Sequence, residues 1–361
     1  MEAHSKLSEA RRLYMFDELL LLPGLAKKSP KEIDASVHLD GINLSAPILS
    51  APMDTVTESS MAISLASAGG LGVIHRNCTA DQALDMIRKV KGAEAPDKGS
   101  TLDKEGKLAV GAAVSTNDVE SAVRISAEAD LIFTDVASFY NSKVISGTKR
   151  IMAETGRKMV IGNLGTKEGV IHAVNELGAE NIAAIKVGMG GGSICITTDV
   201  TGVGSPVSFA VEEAAAALSE LGLFGKIPII ADGGIRYSRD IAFSIALGAS
   251  FAMLGNLLAR CTESPGEVVI KEGKKYKVYW GMGSAEARAK RLALDRYQDS
   301  KGKDVDEGFK TQVPLEGSVQ DLVSRLLAEL KTTMGYVGAE NIAEMQKLAR
   351  IAVMKPREMK I

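Results

Sequence analysis

Eight short apolar runs, each followed by an alanine-rich or amphipathic stretch, constrain this chain more than any other feature. The runs are Pro47–Met53, Gly70–His75, Leu108–Val114, Leu131–Ala137, Met159–Gly165, Ala184–Met189, Ile227–Gly233 and Ser250–Asn256. Helix-like segments lie between them at 58–68, 79–91, 119–128, 142–155, 167–177, 207–221 and 238–247. A nearly continuous apolar run suits a strand covered on both faces, and a helix between two such strands is the crossover that a parallel pair requires. Eight strand–helix units over about 210 residues predict an α/β fold of the (β/α)8 TIM-barrel type. An open doubly wound sheet is the competitor, but its glycine-rich turn belongs after the first strand. Here glycines cluster after the sixth to eighth runs, where barrels place phosphate sites.

Two segments depart from a bare barrel. Residues 92–106 (GAEAPDKGSTLDKEG) read as an exposed linker inside the second crossover. After strand eight, Glu267–Ile270 and Lys275–Tyr279 flank Glu272-Gly273 as a hairpin, and a polar stretch over 285–315 reads as a flap beside the barrel mouth. Helices are expected at 319–331 and 339–350. One catalytic domain over 1–361 is therefore expected.

Composition closes off several function classes. A net charge of −2 with 24% charged residues implies no polyelectrolyte partner. No run reaches the roughly 18 apolar residues of a membrane span, and Met1–Lys6 has no signal-peptide character, so a cytoplasmic protein is expected. Cys78, Cys195 and Cys261 are too far apart for a zinc knuckle or a redox pair, and four scattered histidines offer no metal spacing. Redox chemistry in this chain needs an organic cofactor.

Barrel enzymes work at the C-terminal ends of their strands. There this sequence places Ser50-Ala-Pro-Met-Asp54, Asp135, Asn163, the loop Gly188-Met-Gly-Gly-Gly-Ser-Ile-Cys195, Asp232-Gly233-Gly234 and Gly255-Asn256. Glycines let backbone amides converge on an anion, and a thiol displayed among them is in a setting that favours thiolate. On spacing alone, the alternative of a plain turn with Cys195 as a small buried apolar residue stays open. Asp232-Gly233-Gly234 with Gly255 forms a candidate phosphate corner, with Asp232 able to accept from ribose hydroxyls. Arg296-Tyr297 reads either as a solvated pair or as a desolvated arginine able to activate water, and Glu307-Gly308 as a surface turn.

Together these residues resemble the IMP dehydrogenase and GMP reductase family. The resemblance runs from Tyr14-Met-Phe-Asp-Glu18 through Ser50-Ala-Pro-Met-Asp-Thr-Val-Thr57, Gly69-Gly-Leu-Gly-Val-Ile-His75, Val187–Thr197, Ile230-Ala-Asp-Gly-Gly-Ile235 and Tyr279-Trp-Gly-Met-Gly-Ser284 to Met334-Gly-Tyr-Val-Gly-Ala339. It implies a homotetrameric enzyme in which Cys195 attacks C2 of a purine nucleotide, hydride passes between that carbon and a nicotinamide, and a thioimidate forms. It assigns Ser193, Gly234, Gly255 and Tyr279 to the phosphate, Asp232 to the ribose, and Met282, Gly283 and Glu307 to the base. Ser50, Met53, Gly233, Asn256 and Gly281 complete that nucleotide site. Asp135, Ser138 and Asn163, with Gly188 and Gly190, fall on the nicotinamide side. Thr197 stands beside the thiol, and carbonyls of Gly188, Gly190 and Cys195 would bind a potassium ion.

Within the family, Asp295-Arg-Tyr297 followed by Val305-Asp-Glu-Gly308 is similar to the water-activating flap of the dehydrogenase branch, which converts IMP, NAD and water to XMP and NADH on the way to guanine nucleotides. The reductase branch, from GMP to IMP with NADPH, would use a Thr-Glu pair, for which Thr197 and Glu286 are candidates. A barrel that binds nucleotide without catalysis is the third reading. The regulatory CBS pair carried by most dehydrogenases in the second crossover is replaced by 92–106, and Ser138-Phe-Tyr140 departs from the family's small polar residues.

Overall fold

The computed structural model describes residues 10–96, 99–289 and 306–355. Eight parallel strands form its centre: β1 (Ile48–Ser50), β2 (Gly72–Ile74), β3 (Val110–Val114), β4 (Leu131–Thr134), β5 (Met159–Leu164), β6 (Ile182–Val187), β7 (Ile229–Asp232) and β8 (Phe251–Leu254). Each pairs with the next, and β8 returns to β1 with Ala252 opposite Ile48 and Leu254 opposite Ser50. The ring closes between β1 and β2, where Ser50 N donates to Leu71 O at 3.1 Å and Leu71 N to Ile48 O at 3.0 Å. The eight expected runs are thus the eight strands of a (β/α)8 barrel. Their side chains are almost all buried, as burial between a filled interior and an outer ring of helices demands.

The crossover helices begin where short polar side chains can accept from free backbone amides. Thr79 accepts from Gln82 N, while Asn141 Oδ1 accepts from Lys143 N and Val144 N. In the second crossover, Leu102 bridges Leu108, and Asp103 receives the Lys91 ammonium at 2.6 Å. The described part of that segment is therefore a turn latched to the helix before it.

Beyond β8 the structure holds more than the sequence pattern predicts. The hairpin Val268–Lys271 and Lys274–Trp280 turns through Glu272-Gly273, both at positive φ, and gains a third strand, Lys310–Pro314. The following helix runs over Val319–Val337, six residues past the expected end, and stops at Gly338 with φ 90°. The last helix is shorter than expected, Ile342–Leu348. An unanticipated pair, Leu19–Leu22 with Arg350–Val353, joins the two ends of the described chain. None of the described helices is long and apolar enough to cross a membrane.

Candidate active site

The C-terminal ends of the strands surround a cleft of about 1030 Å3, including space open to solvent. Its wall contains Met53, Asn163, Gly188, Gly190, Ser193, Cys195, Thr197, Asp232, Gly233, Gly234, Gly255, Asn256, Tyr279, Gly281, Met282, Gly283 and Glu307. These seventeen positions come from seven separate stretches of sequence, so their convergence is a product of the barrel. Of the other residues singled out, Ser50 is fully buried, bonded to Thr57 Oγ1 and Val73 N, and does not line the cleft. Asp135 is 0% exposed, and Arg76 donates to its carbonyl from Nε at 3.0 Å, with Nε 3.5 Å from its carboxylate. Ser138 is half-buried outside the cleft wall, where Val136 and Ala137 appear instead. Arg296 and Tyr297 lie outside the described residues.

The Cys195 loop follows β6, with Gly188 and Gly190 at φ of 117° and 78°, a region that glycine enters without strain. A Cβ on Gly188 would come within 2.2 Å of Asp232 O, and one on Gly190 within 2.0 Å of Thr198 Oγ1. The loop can therefore pack against β7 at Gly188, and against the helix Thr197–Thr201 at Gly190, only with glycine at these points. The thiol end is tied to the segment before Lys310: Ile196 N donates to Glu307 O at 3.1 Å and Phe309 N to Ile194 O at 3.3 Å.

Cys195 Sγ lies 3.2 Å from Thr197 Oγ1, which donates to Glu307 Oε2 at 2.9 Å. A threonine hydroxyl has one proton. With that proton directed at Glu307 Oε2, the threonine oxygen is an acceptor for the thiol, and a directional path runs from Cys195 through Thr197 to a buried carboxylate. The acid that pairs with Thr197 is Glu307; Glu286 is not part of the cleft wall. The other cysteines have no such setting. Cys261 is buried, its thiol pushed up to about 12 mainly by burial and then by Glu263, and Cys78 Sγ points to His75 O at 3.4 Å.

Asp232, at the end of β7, accepts from Asn163 Nδ2 at 2.9 Å and from Lys186 Nζ at 3.2 Å through the same oxygen. Lys186 also donates to Asn163 Oδ1, and Asn163 Nδ2 reaches Gly188 O at 2.8 Å. Lys186 is 1% exposed. Sequence reasoning missed it, although a lone lysine inside the apolar run of β6 was the available signal, because a buried ammonium needs an anionic partner. Here the partner is the carboxylate of Asp232, which lines the cleft and which Lys186 orients. Arg236, beside Gly233-Gly234 in the cleft wall, was missed as well.

Next to Asp232, Gly233 and Gly234 at φ 99° and 71° approach Gly191, and Asn256 Nδ2 donates to Ser193 Oγ at 3.1 Å. Tyr279 hydrogen-bonds Ser193, and burial pushes its hydroxyl pKa up, with the charges of Asp232 and Cys195 acting the same way. This corner carries hydroxyl and amide donors, arginine charge and close-packed glycine backbone, a composition suited to a phosphate. For potassium, the Gly188 carbonyl already accepts the Asn163 amide, so of the three assigned carbonyls this one has the weakest claim.

Similarity agrees with the geometry. Residues 13–360 match the family model described as IMP dehydrogenase / GMP reductase domain. Inosine-5'-monophosphate dehydrogenase of Korarchaeum cryptofilum is 34% identical over 453 residues, covering 94% of each chain. That of Aquifex aeolicus is 35% identical, covering 97% of this chain and 94% of its own, and that of Cryptosporidium parvum 36%, covering 92% and 90%. The Korarchaeum match extends over more positions than the 361 residues present here, so that relative holds an insertion that this chain lacks. The chain belongs to the IMP dehydrogenase / GMP reductase family.

Proposed function

We propose that the protein is an NAD-dependent IMP dehydrogenase, a cytoplasmic homotetramer that makes XMP from IMP for guanine nucleotide synthesis. The observation that carries this reading is the Cys195–Thr197–Glu307 chain at the centre of the cleft. Cys195 Sγ gives up its proton to solvent and adds to C2 of the hypoxanthine ring. Bound NAD supplies the acceptor for the hydride that leaves C2, and the purine stays on the sulfur as a thioimidate. Water then adds to C2, the C2–S bond breaks, and XMP and the thiol are released. Glu307, reached through Thr197, is a base for the proton of that water, and Arg296 and Tyr297 are the second activator in this proposal.

Elsewhere in the cleft, Asp232 held by Lys186 orients the ribose, and Ser193, Gly234, Gly255 and Tyr279 hold the phosphate. Asn163 belongs to the nicotinamide side. The glycines of the Cys195 loop are its candidate potassium ligands, with Gly190 and Cys195 better supported than Gly188. Residues 92–106 stand at the position of the family's regulatory insertion, leaving one catalytic domain.

Mixing enzyme with IMP and NAD and following NADH absorbance tests the proposal. A steady signal that Cys195→Ser lowers by at least ~1000-fold is the expected result. No signal with IMP, together with oxidation of NADPH by GMP, would assign the reductase reaction instead.

A further inference from the structure

Arg260 follows the short helix Asn256–Ala259 after β8 and does not line the cleft. Its Nε donates to Asn256 Oδ1 at 3.0 Å, and Nη1 bonds Glu316 Oε1 at 2.7 Å. The backbone repeats the tie, with Glu316 N donating to Arg260 O at 2.9 Å. Asn256 does line the cleft, and its Nδ2 donates to Ser193 Oγ at the phosphate corner.

A side-chain amide has two orientations of nearly the same shape and opposite polarity. With NH2 toward the cleft it favours an anion; with oxygen there it repels one. Arginine has five N–H donors and no acceptor, so it accepts only one answer from its neighbour. The bond to Glu316 fixes the guanidinium plane, and that plane fixes Asn256 Oδ1 outward.

We propose that Arg260 is a positioning residue for the substrate phosphate, holding the Asn256 amide with its NH2 turned to the phosphate corner. The proposal rests on the functional reading above, in which a phosphomonoester occupies that corner. It adds a residue that touches no ligand yet sets affinity for the charged end of the substrate. Glu316 follows the strand Lys310–Pro314, which continues from Glu307 and Gly308, so the same guanidinium also ties this corner to the segment beside the thiol.

Steady-state kinetics of the full-length enzyme with IMP and NAD, for wild type, Arg260→Met, Arg260→Lys, Asn256→Ser and the Arg260→Met/Asn256→Ser double variant, tests this. Arg260→Met should raise KM for IMP about tenfold while kcat stays within about twofold and KM for NAD is unchanged. Lysine, which still donates to Oδ1, should recover most of that loss. Inosine, which lacks the phosphate, should inhibit wild type and Arg260→Met with the same constant. Serine at 256 has no amide to orient, so in that background Arg260→Met should add nothing.

An unchanged KM for IMP in Arg260→Met would overturn the proposal. Equal losses for IMP and inosine, or a full additional loss in the Asn256→Ser background, would overturn it too, since either makes Arg260 a general structural or long-range charge effect. Thermal midpoints of all variants separate misfolding from altered affinity, and Arg260→Lys keeps the test decisive should the methionine variant unfold. Wild-type enzyme silent toward IMP would overturn the functional reading and this proposal together. Active wild type with an unaffected Arg260→Met variant would overturn this proposal alone.

Discussion

At the β7–β8 end of the cleft, the side chains that line it are held by hydrogen bonds to one another. At the β4 end the polar groups are withdrawn into the barrel and held by charge. Asn256, Ser193 and Tyr279 exemplify the first arrangement, and Arg76 with the fully buried Asp135 the second. Lys186 stands between them, reaching Asn163 from β5 and Asp232 from β7 with one ammonium. The difference teaches what a substitution should cost. Loss of a hydrogen bond near solvent lowers ligand affinity, whereas loss of one member of a buried ion pair leaves a charge without compensation and lowers stability.

Lys186→Met should have the largest effect because Lys186 is a buried charge and also holds the cleft-lining Asp232 and Asn163. The carboxylate of Asp232 loses its buried counter-charge, and Asn163 loses the donor that sets its amide. A destabilisation of about 3 kcal/mol, with kcat/KM for IMP lower by roughly 100-fold, is the expected outcome of urea unfolding and initial-rate measurements. A variant with normal stability and kinetics would break the comparison at its centre. Next comes Arg76→Met, expected to cost about 3 kcal/mol and lower the thermal midpoint by about 6 °C, with KM for IMP unchanged. A shift in that KM rivalling the stability loss would mean that the two ends are not separately built.

The difference between the ends also explains what could be read in advance. The barrel was legible because each strand is buried on both faces and so is written as an apolar run. The cleft glycines were legible because Gly188 and Gly190 leave no room for a Cβ against Asp232 and Thr198. Lys186 was hidden because an apolar run averages over one charge, and only the fold shows that its side chain meets Asp232. Asp135 presented the reverse problem: a carboxylate at a strand end reads as facing the cleft, yet here it packs against Arg76. The strand pair Leu19–Leu22 with Arg350–Val353 was invisible because pairing between chain ends leaves no local pattern. Thr197 and Glu307 were each picked out through family resemblance, but a hydrogen bond spanning 110 positions has no sequence signature.

That bond supplies the third test, between the two ends of the cleft. Thr197→Val breaks the path from Cys195 and from the attacking water to Glu307 while preserving side-chain volume. Hydride transfer, read as a pre-steady-state burst of NADH, should persist, and the steady rate of thioimidate hydrolysis should fall about 100-fold. Glu307→Gln should do the same, since the amide can still bond Thr197 but cannot take the proton. Loss of the burst in both variants would move the Thr197–Glu307 pair from hydrolysis to activation of the thiol.

The smallest effect belongs to Tyr279→Phe, which isolates the hydrogen-bonded end. The ring is 3% exposed and its volume is kept, so what disappears is the hydroxyl bonded to Ser193. KM for IMP should rise about fivefold, a loss of about 1 kcal/mol, with KM for NAD unchanged. The same variant carries a pH signature whose sign follows from burial. The Tyr279 hydroxyl ionises at higher pH in the folded chain than its ordinary value of 10.0. Above pH 10 the unfolded chain therefore releases a proton that the folded chain keeps, and stability falls as pH rises. Below pH 10 that contribution is fully present. Urea unfolding at pH 9 and pH 11 should show wild type losing more stability than Tyr279→Phe between the two, because phenylalanine has no proton to release. Equal losses would mean that burial does not hold the Tyr279 hydroxyl protonated at this corner.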